Sequence, residues 1–120
     1  MDEANTIFTG ELSIPPENFT EMYQAVYEQL KKDFHPYAKL EEPEIALTSQ
    51  WLYSEVVRLT SELIRTQPSS LNAFLYRVDI AEMQMKRVLH ITSPEDKLDK
   101  LAWMILKREA QKVWIRRHLK

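Results

Sequence analysis

The sequence predicts an all-α protein, an up-down-up-down four-helix bundle with a short extended N-terminal arm, and three observations support that class. Pro16, Pro36, Pro43, Pro68 and Pro94 fall between four stretches whose apolar residues recur at three and four positions. Gly10 is the sole glycine among 120 residues, so proline does the punctuation. Proline lacks a backbone donor and clashes with the turn before it, so it opens helices at their first position and disfavours helix in the residue it follows. The chain length is that of one domain with a single core. The expected division is an arm over residues 1–15 and a bundle over residues 16–120.

In the arm, Thr6-Ile7-Phe8-Thr9 and Glu11-Leu12-Ser13-Ile14 flank the glycine. We expect Ile7, Phe8, Leu12 and Ile14 to lay it along the bundle, with strand exchange between two copies as the alternative. The first helix is predicted over residues 16–34, where Phe19, Met22, Tyr23, Val26, Leu30 and Phe34 form one apolar stripe. His35-Pro36 ends it. After a loop, a second helix is predicted over residues 43–66, opened by Pro43, with Ile45, Leu52, Val56, Leu59 and Leu63 inward.

A third helix is predicted over residues 70–90. Leu71, Phe74, Leu75, Val78, Met85, Val88 and Leu89 line one side, while Tyr76, Ile80 and Met83 fall nearly opposite. A helix apolar on two flanks is central or covered by a partner. Ser93-Pro94-Glu95-Asp96 then supplies a cap, a first-turn proline and two acids where the helix dipole favours them. The fourth helix runs from residue 94 to near the end, about 37 Å at 1.5 Å per residue, long enough to overhang the bundle. Short connections make neighbouring helices antiparallel.

Charge is divided along the chain. Residues 1–60 hold 11 acids and 4 bases, residues 61–120 hold 7 acids and 12 bases, and the net charge is −2. Such a split points to self-association of opposite faces or to a polar surface. The chain has no cysteine, which excludes disulfides, thiolate nucleophiles and zinc–thiolate sites. No apolar run approaches the roughly 20 residues of a membrane span. The acidic start MDEANTIF lacks the pattern of a secretory leader. A cytoplasmic protein is expected, without membrane attachment.

Several constellations could bear chemistry. Glu109 projects into the Leu98, Ala102, Ile105, Leu106, Val113 face of the fourth helix, and Glu82 into the main face of the third. Both are buried-carboxylate candidates, and a carboxylate in an apolar stripe is costly unless paired or protonated. An ion-paired brace is expected for Glu109, with Arg77, Tyr76 or Arg116 as partner. The alternative, an acid–base or metal pair, is opposed by the antiparallel register, which separates Glu82 and Glu109 by roughly 10 Å along the axis. No histidine follows a glutamate by three positions, as inward di-iron motifs require: Lys32, Arg87 and Ile115 precede His35, His90 and His118. There is no HExxH pattern, acidic calcium loop, glycine-rich phosphate loop or G-x-S-x-G turn. We therefore expect no catalytic residues, no metal and no cofactor.

Two surface features remain. Lys112, Arg116, Arg117 and Lys120, beside Trp114, make a basic end to the fourth helix that could meet nucleic acid or an acidic partner. Tyr76, Ile80, Met83, Trp103 and Trp114 add up to a second apolar surface, and tryptophan is enriched at protein interfaces. The function expected is a non-enzymatic helical protein-interaction module that self-associates as a homodimer or binds another protein. The alternative is a nucleic-acid-binding protein using the basic helix end.

Overall fold

A computed structural model describes residues 7, 8, 12 and 14–118. The described chain is helical throughout its regular structure and has no strand. Five helices follow in order: α1 Phe19–Phe34, α2 Ser49–Thr66, α3 Leu71–Val78, α4 Glu82–Leu89 and α5 Pro94–His118. Short 3₁₀ turns at Pro16–Asn18 and Pro68–Ser70 lead into α1 and α3. In both, proline supplies the first helical position.

The fifth helix arises because the predicted third helix is broken at Asp79. Asp79 is left-handed, with φ 74° and ψ 47°. Its N–H bonds the Tyr76 carbonyl at 3.0 Å, and the Ile80 N–H bonds the Leu75 carbonyl at 3.1 Å. This is a Schellman termination, in which the last carbonyls of α3 are satisfied and the chain turns away. Ile80 and Leu75 are both buried, as the motif's hydrophobic contact requires. Arg108 of α5 holds the turn from outside: its Nε donates to the Asp79 carbonyl at 3.1 Å and its Nη2 to the Asp79 carboxylate at 2.7 Å. Aspartate is among the few non-glycine residues that tolerate this region. The break also corrects the two-flanked reading of residues 70–90, because the residues of each flank are divided between two separate helices.

α2 begins later than expected. Thr48 is extended and its hydroxyl accepts the Trp51 N–H at 3.0 Å, which places the N-cap at Thr48 and not beside Pro43. Residues 38–48 are loop, and Ile45, expected in the core, is exposed. The N-terminal segment is turned as well. Leu12 N–H bonds the Ile7 carbonyl at 3.1 Å and Ile14 N–H bonds that of Phe8 at 2.8 Å, where an extended arm was expected. Ile7, Phe8 and Ile14 are buried there, with Phe8 edge-on to Tyr23 at 5.0 Å. The rest of the arm lies outside the described residues.

α5 organises the molecule. Its 25 residues span about 37 Å, close to the longest dimension of the molecule, 38 Å. It packs most extensively against α2 and α1, and touches α3 and α4 as well. Leu101, Ala102, Ile105, Leu106, Ala110 and Val113 are buried along it. Aromatic pairs tie the other elements together: Phe34 stacks on Phe74 at 4.2 Å, Tyr27 meets Trp51 at 5.8 Å, and Tyr53 meets Trp103 edge-on at 6.1 Å. The third predicted helix was expected to be central or covered by a partner; within the chain the central helix is α5.

Candidate functional site

The two faces of α5 differ in what they meet, and the face toward α1 is polar at its centre. Glu109 has no exposed surface. It sits with Asp33 of α1, also buried, and with Lys112 one turn along α5. Lys112 Nζ lies 2.9 Å from Asp33 Oδ2 and 2.7 Å from Glu109 Oε1, the second approach lacking the alignment of a hydrogen bond. Gln29 Nε2 donates to Asp33 at 3.2 Å, and Arg116 donates to Gln29 Oε1 at 2.9 Å. Arg117 pairs with Glu21. Stepping back four residues on α1, from Asp33 to Gln29, matches stepping forward four on α5, from Lys112 to Arg116. The two helices are therefore antiparallel and their polar residues are in register.

Burial dominates the titration of Glu109, pushing its carboxyl up to about 8, with the neighbouring Asp33 adding to the rise and Lys112 opposing it. For Asp33 burial acts upward too, but the neighbouring Glu109 carboxyl and hydrogen bonds from Lys112 and Gln29 outweigh it and hold the carboxyl below its ordinary value. With Glu109 protonated at neutral pH, Asp33 is the only charged carboxyl of the pair, and Lys112 and Arg77 both face it. A low-dielectric site favours burying one paired charge over two. The partner of Glu109 expected from sequence was Arg77, Tyr76 or Arg116. Instead Lys112 and Asp33 surround it, while Arg77 stands 3.8 Å from Asp33 and Arg116 serves Gln29.

Glu82 departs from expectation, being exposed in the first turn of α4, where a negative charge meets the positive end of the helix. The Asp79 break rotates it away from the core. It is not brought to Glu109, and no group of three or more possible metal ligands occurs among the described residues. No helix among them is long and apolar enough to cross a membrane.

The proposed interface residues separate as well. Tyr76 is 82% exposed on α3 and Met83 69% exposed on α4. Ile80 is buried in the turn between them. Trp103 and Trp114 are half-buried on α5. Of the basic helix end, Lys112, Arg116 and Arg117 reach α1 as described above, and Lys120 lies outside the described residues.

On the α4 side of α5 is a groove of about 340 Å³. Val88 and Trp103 line it together with Arg87, Lys100, Lys107 and Arg108, and no acid is among its lining residues. Lys100, Trp103 and Lys107 recur at three and four positions, the spacing of one helix face, and that spacing was the overlooked sequence signal. For Asp33 and Gln29 the overlooked signal was their four-residue spacing, which mirrors Lys112 and Arg116.

Compared with protein-family models, curated proteins and solved structures, the chain shows no significant match.

Proposed function

We propose that this protein is a non-enzymatic helical interaction module that associates with a second copy of itself through the α3–α4 shoulder and the adjoining face of α5. The observation behind this reading is the poor cover on α4. A helix of eight residues is marginal in water and depends on packing for its stability. Yet Val88 is its sole buried residue, while Met83 and Leu89 are 69% and 68% exposed. Tyr76 extends the apolar shoulder onto α3. Tyr76, Met83, Trp103 and Trp114 are the contact residues in this reading, and Ile80 sets the turn that presents them.

The chemistry of the interior favours the same reading over an enzyme. Glu109 is sealed from solvent between Asp33 and Lys112, and Glu82 is exposed on α4. The contacts of Lys112, Arg116 and Arg117 with α1 favour it over nucleic-acid binding by the helix end. Sedimentation velocity over a wide concentration range is the test. The mass should rise above that of the monomer as concentration increases, and Tyr76→Ala with Met83→Ala should weaken the association. A monomer at every concentration would refute the reading.

A further inference from the structure

We propose that the α4–α5 groove receives the acidic 41–45 segment of a second copy of this chain. The inference rests on the self-association reading and adds the two surfaces that meet. The groove side is cationic: Arg87 on α4 and Lys100, Lys107 and Arg108 on α5 surround an apolar floor of Val88 and Trp103. Arg108 also holds Asp79. Neither Arg87 nor Lys100 has a carboxylate partner among the described residues. A site of this composition selects an occupant that is acidic and carries an apolar side chain.

The chain itself has such a segment. Glu41, Glu42 and Glu44 are exposed in the loop before α2, and Ile45 beside them is 71% exposed. Neither Glu42 nor Glu44 has an ion-pair partner among the described residues. The base of the segment is fixed. Tyr27 Oη donates to the Glu41 carbonyl at 3.0 Å, and the Glu41 N–H donates to Glu55 Oε2 at 2.7 Å. Glu55 is held in turn by two bonds of 2.8 Å from Arg58. Pro43 removes further freedom from the tip. A segment ordered before binding loses less entropy on docking. Reciprocal insertion, each loop into the other copy's groove, closes a two-fold dimer with two equivalent contacts. The opposite charges of the two chain halves then face each other across the interface.

Charge reversal tests this with the full chain. R87E/K100E reverses two of the groove's four cations and E42K/E44K two of the loop's three acids, and circular dichroism verifies that both variants keep their helix content. Each variant alone should dissociate at least about a hundredfold more readily than the wild type, since like charges replace opposite ones at two positions. An equimolar mixture should recover the dimer mass, because the substituted positions of groove and loop then carry opposite signs. Where a double variant fails to fold, K100Q and E44Q replace it, each expected to raise the dissociation constant about tenfold and to reduce its salt dependence. A wild type that dimerises while R87E/K100E dimerises equally well overturns this inference and leaves self-association standing. A wild type that is monomeric throughout overturns both. A monomer that binds an oligonucleotide through Arg87 and Lys100 also overturns it.

Discussion

The two long faces of α5 present the same residue types to different neighbours, and the neighbour decides what each becomes. Toward α1, Lys112, Arg116 and Arg117 meet Asp33, Gln29 and Glu21 in antiparallel register, and the seam is closed from within. Toward α4, Lys100 lies beside Arg87, and the short helix opposite brings no acid to the groove. On the α1 side Lys112, Arg116 and Arg117 are internal braces, whereas on the α4 side Arg108 braces the Asp79 turn and Lys100 has no carboxylate partner among the described residues. Sequence composition does not distinguish them. Register against the facing helix does.

The largest expected effect separates the two faces by packing. Ile105→Ala, in the fully buried seam, should destabilise the fold by about 2–5 kcal/mol. Met83→Ala on the shoulder should change monomer stability by no more than about 0.5 kcal/mol. Urea unfolding at a concentration where the chain is monomeric makes the comparison. Equal losses at both positions would erase the distinction.

Charge gives the next contrast. Lys112→Met leaves Asp33 buried with its ammonium partner gone, and should cost about 3 kcal/mol. Lys100→Met removes a groove cation and should leave unfolding almost unchanged while weakening association.

The third contrast is with pH. The carboxyl of Glu109 titrates near 4.5 when unfolded and near 8 when folded. Between those values the folded chain holds a proton that the unfolded chain has lost. Its contribution is therefore complete below about pH 4.5, declines as pH rises, and is exhausted above about pH 8. Asp33 acts oppositely, contributing above its unfolded value and failing as pH falls through its depressed folded value. Glu109→Gln is neutral at every pH, so it should flatten the alkaline decline and leave the acidic limb in place. Unfolding midpoints from pH 2 to pH 9 report both limbs, and parallel curves for the two proteins would refute a protonated Glu109.

The smallest effect sits at the turn joining the faces. Asp79→Gly relieves a left-handed residue and loses an exposed ion pair, two small effects of opposite sign that nearly cancel. Asp79→Ala loses the pair without the relief and should melt below Asp79→Gly. Thermal melts of the two variants distinguish these outcomes.

Much of the helical plan was legible in the sequence, because proline and apolar spacing are local signals. The end of α1 at Phe34 and the start of α5 at Pro94 follow directly from them. The break at Asp79 was not legible, since no proline or glycine marks it and its support comes from Arg108, 29 residues away. Projecting residues 70–90 as one helix then misplaced Glu82 and joined Tyr76, Ile80 and Met83 into a stripe that does not exist. The start of α2 was misjudged because Pro43 is a visible signal and the Thr48 cap a quieter one. Glu109 stood out as an acid in an apolar face, but its companions lie on another helix and only the fold brings them together.

Amide hydrogen exchange at two protein concentrations tests most directly whether α4 is completed by a second copy while the α1–α5 seam is complete within one chain. Protection of the Glu82–Leu89 amides should rise with concentration, and protection along the Lys112–Arg116 turn and its α1 partner should stay constant. Protection of α4 that is the same at both concentrations, or a seam that gains protection alongside it, would contradict the division of this molecule into a closed face and an open one.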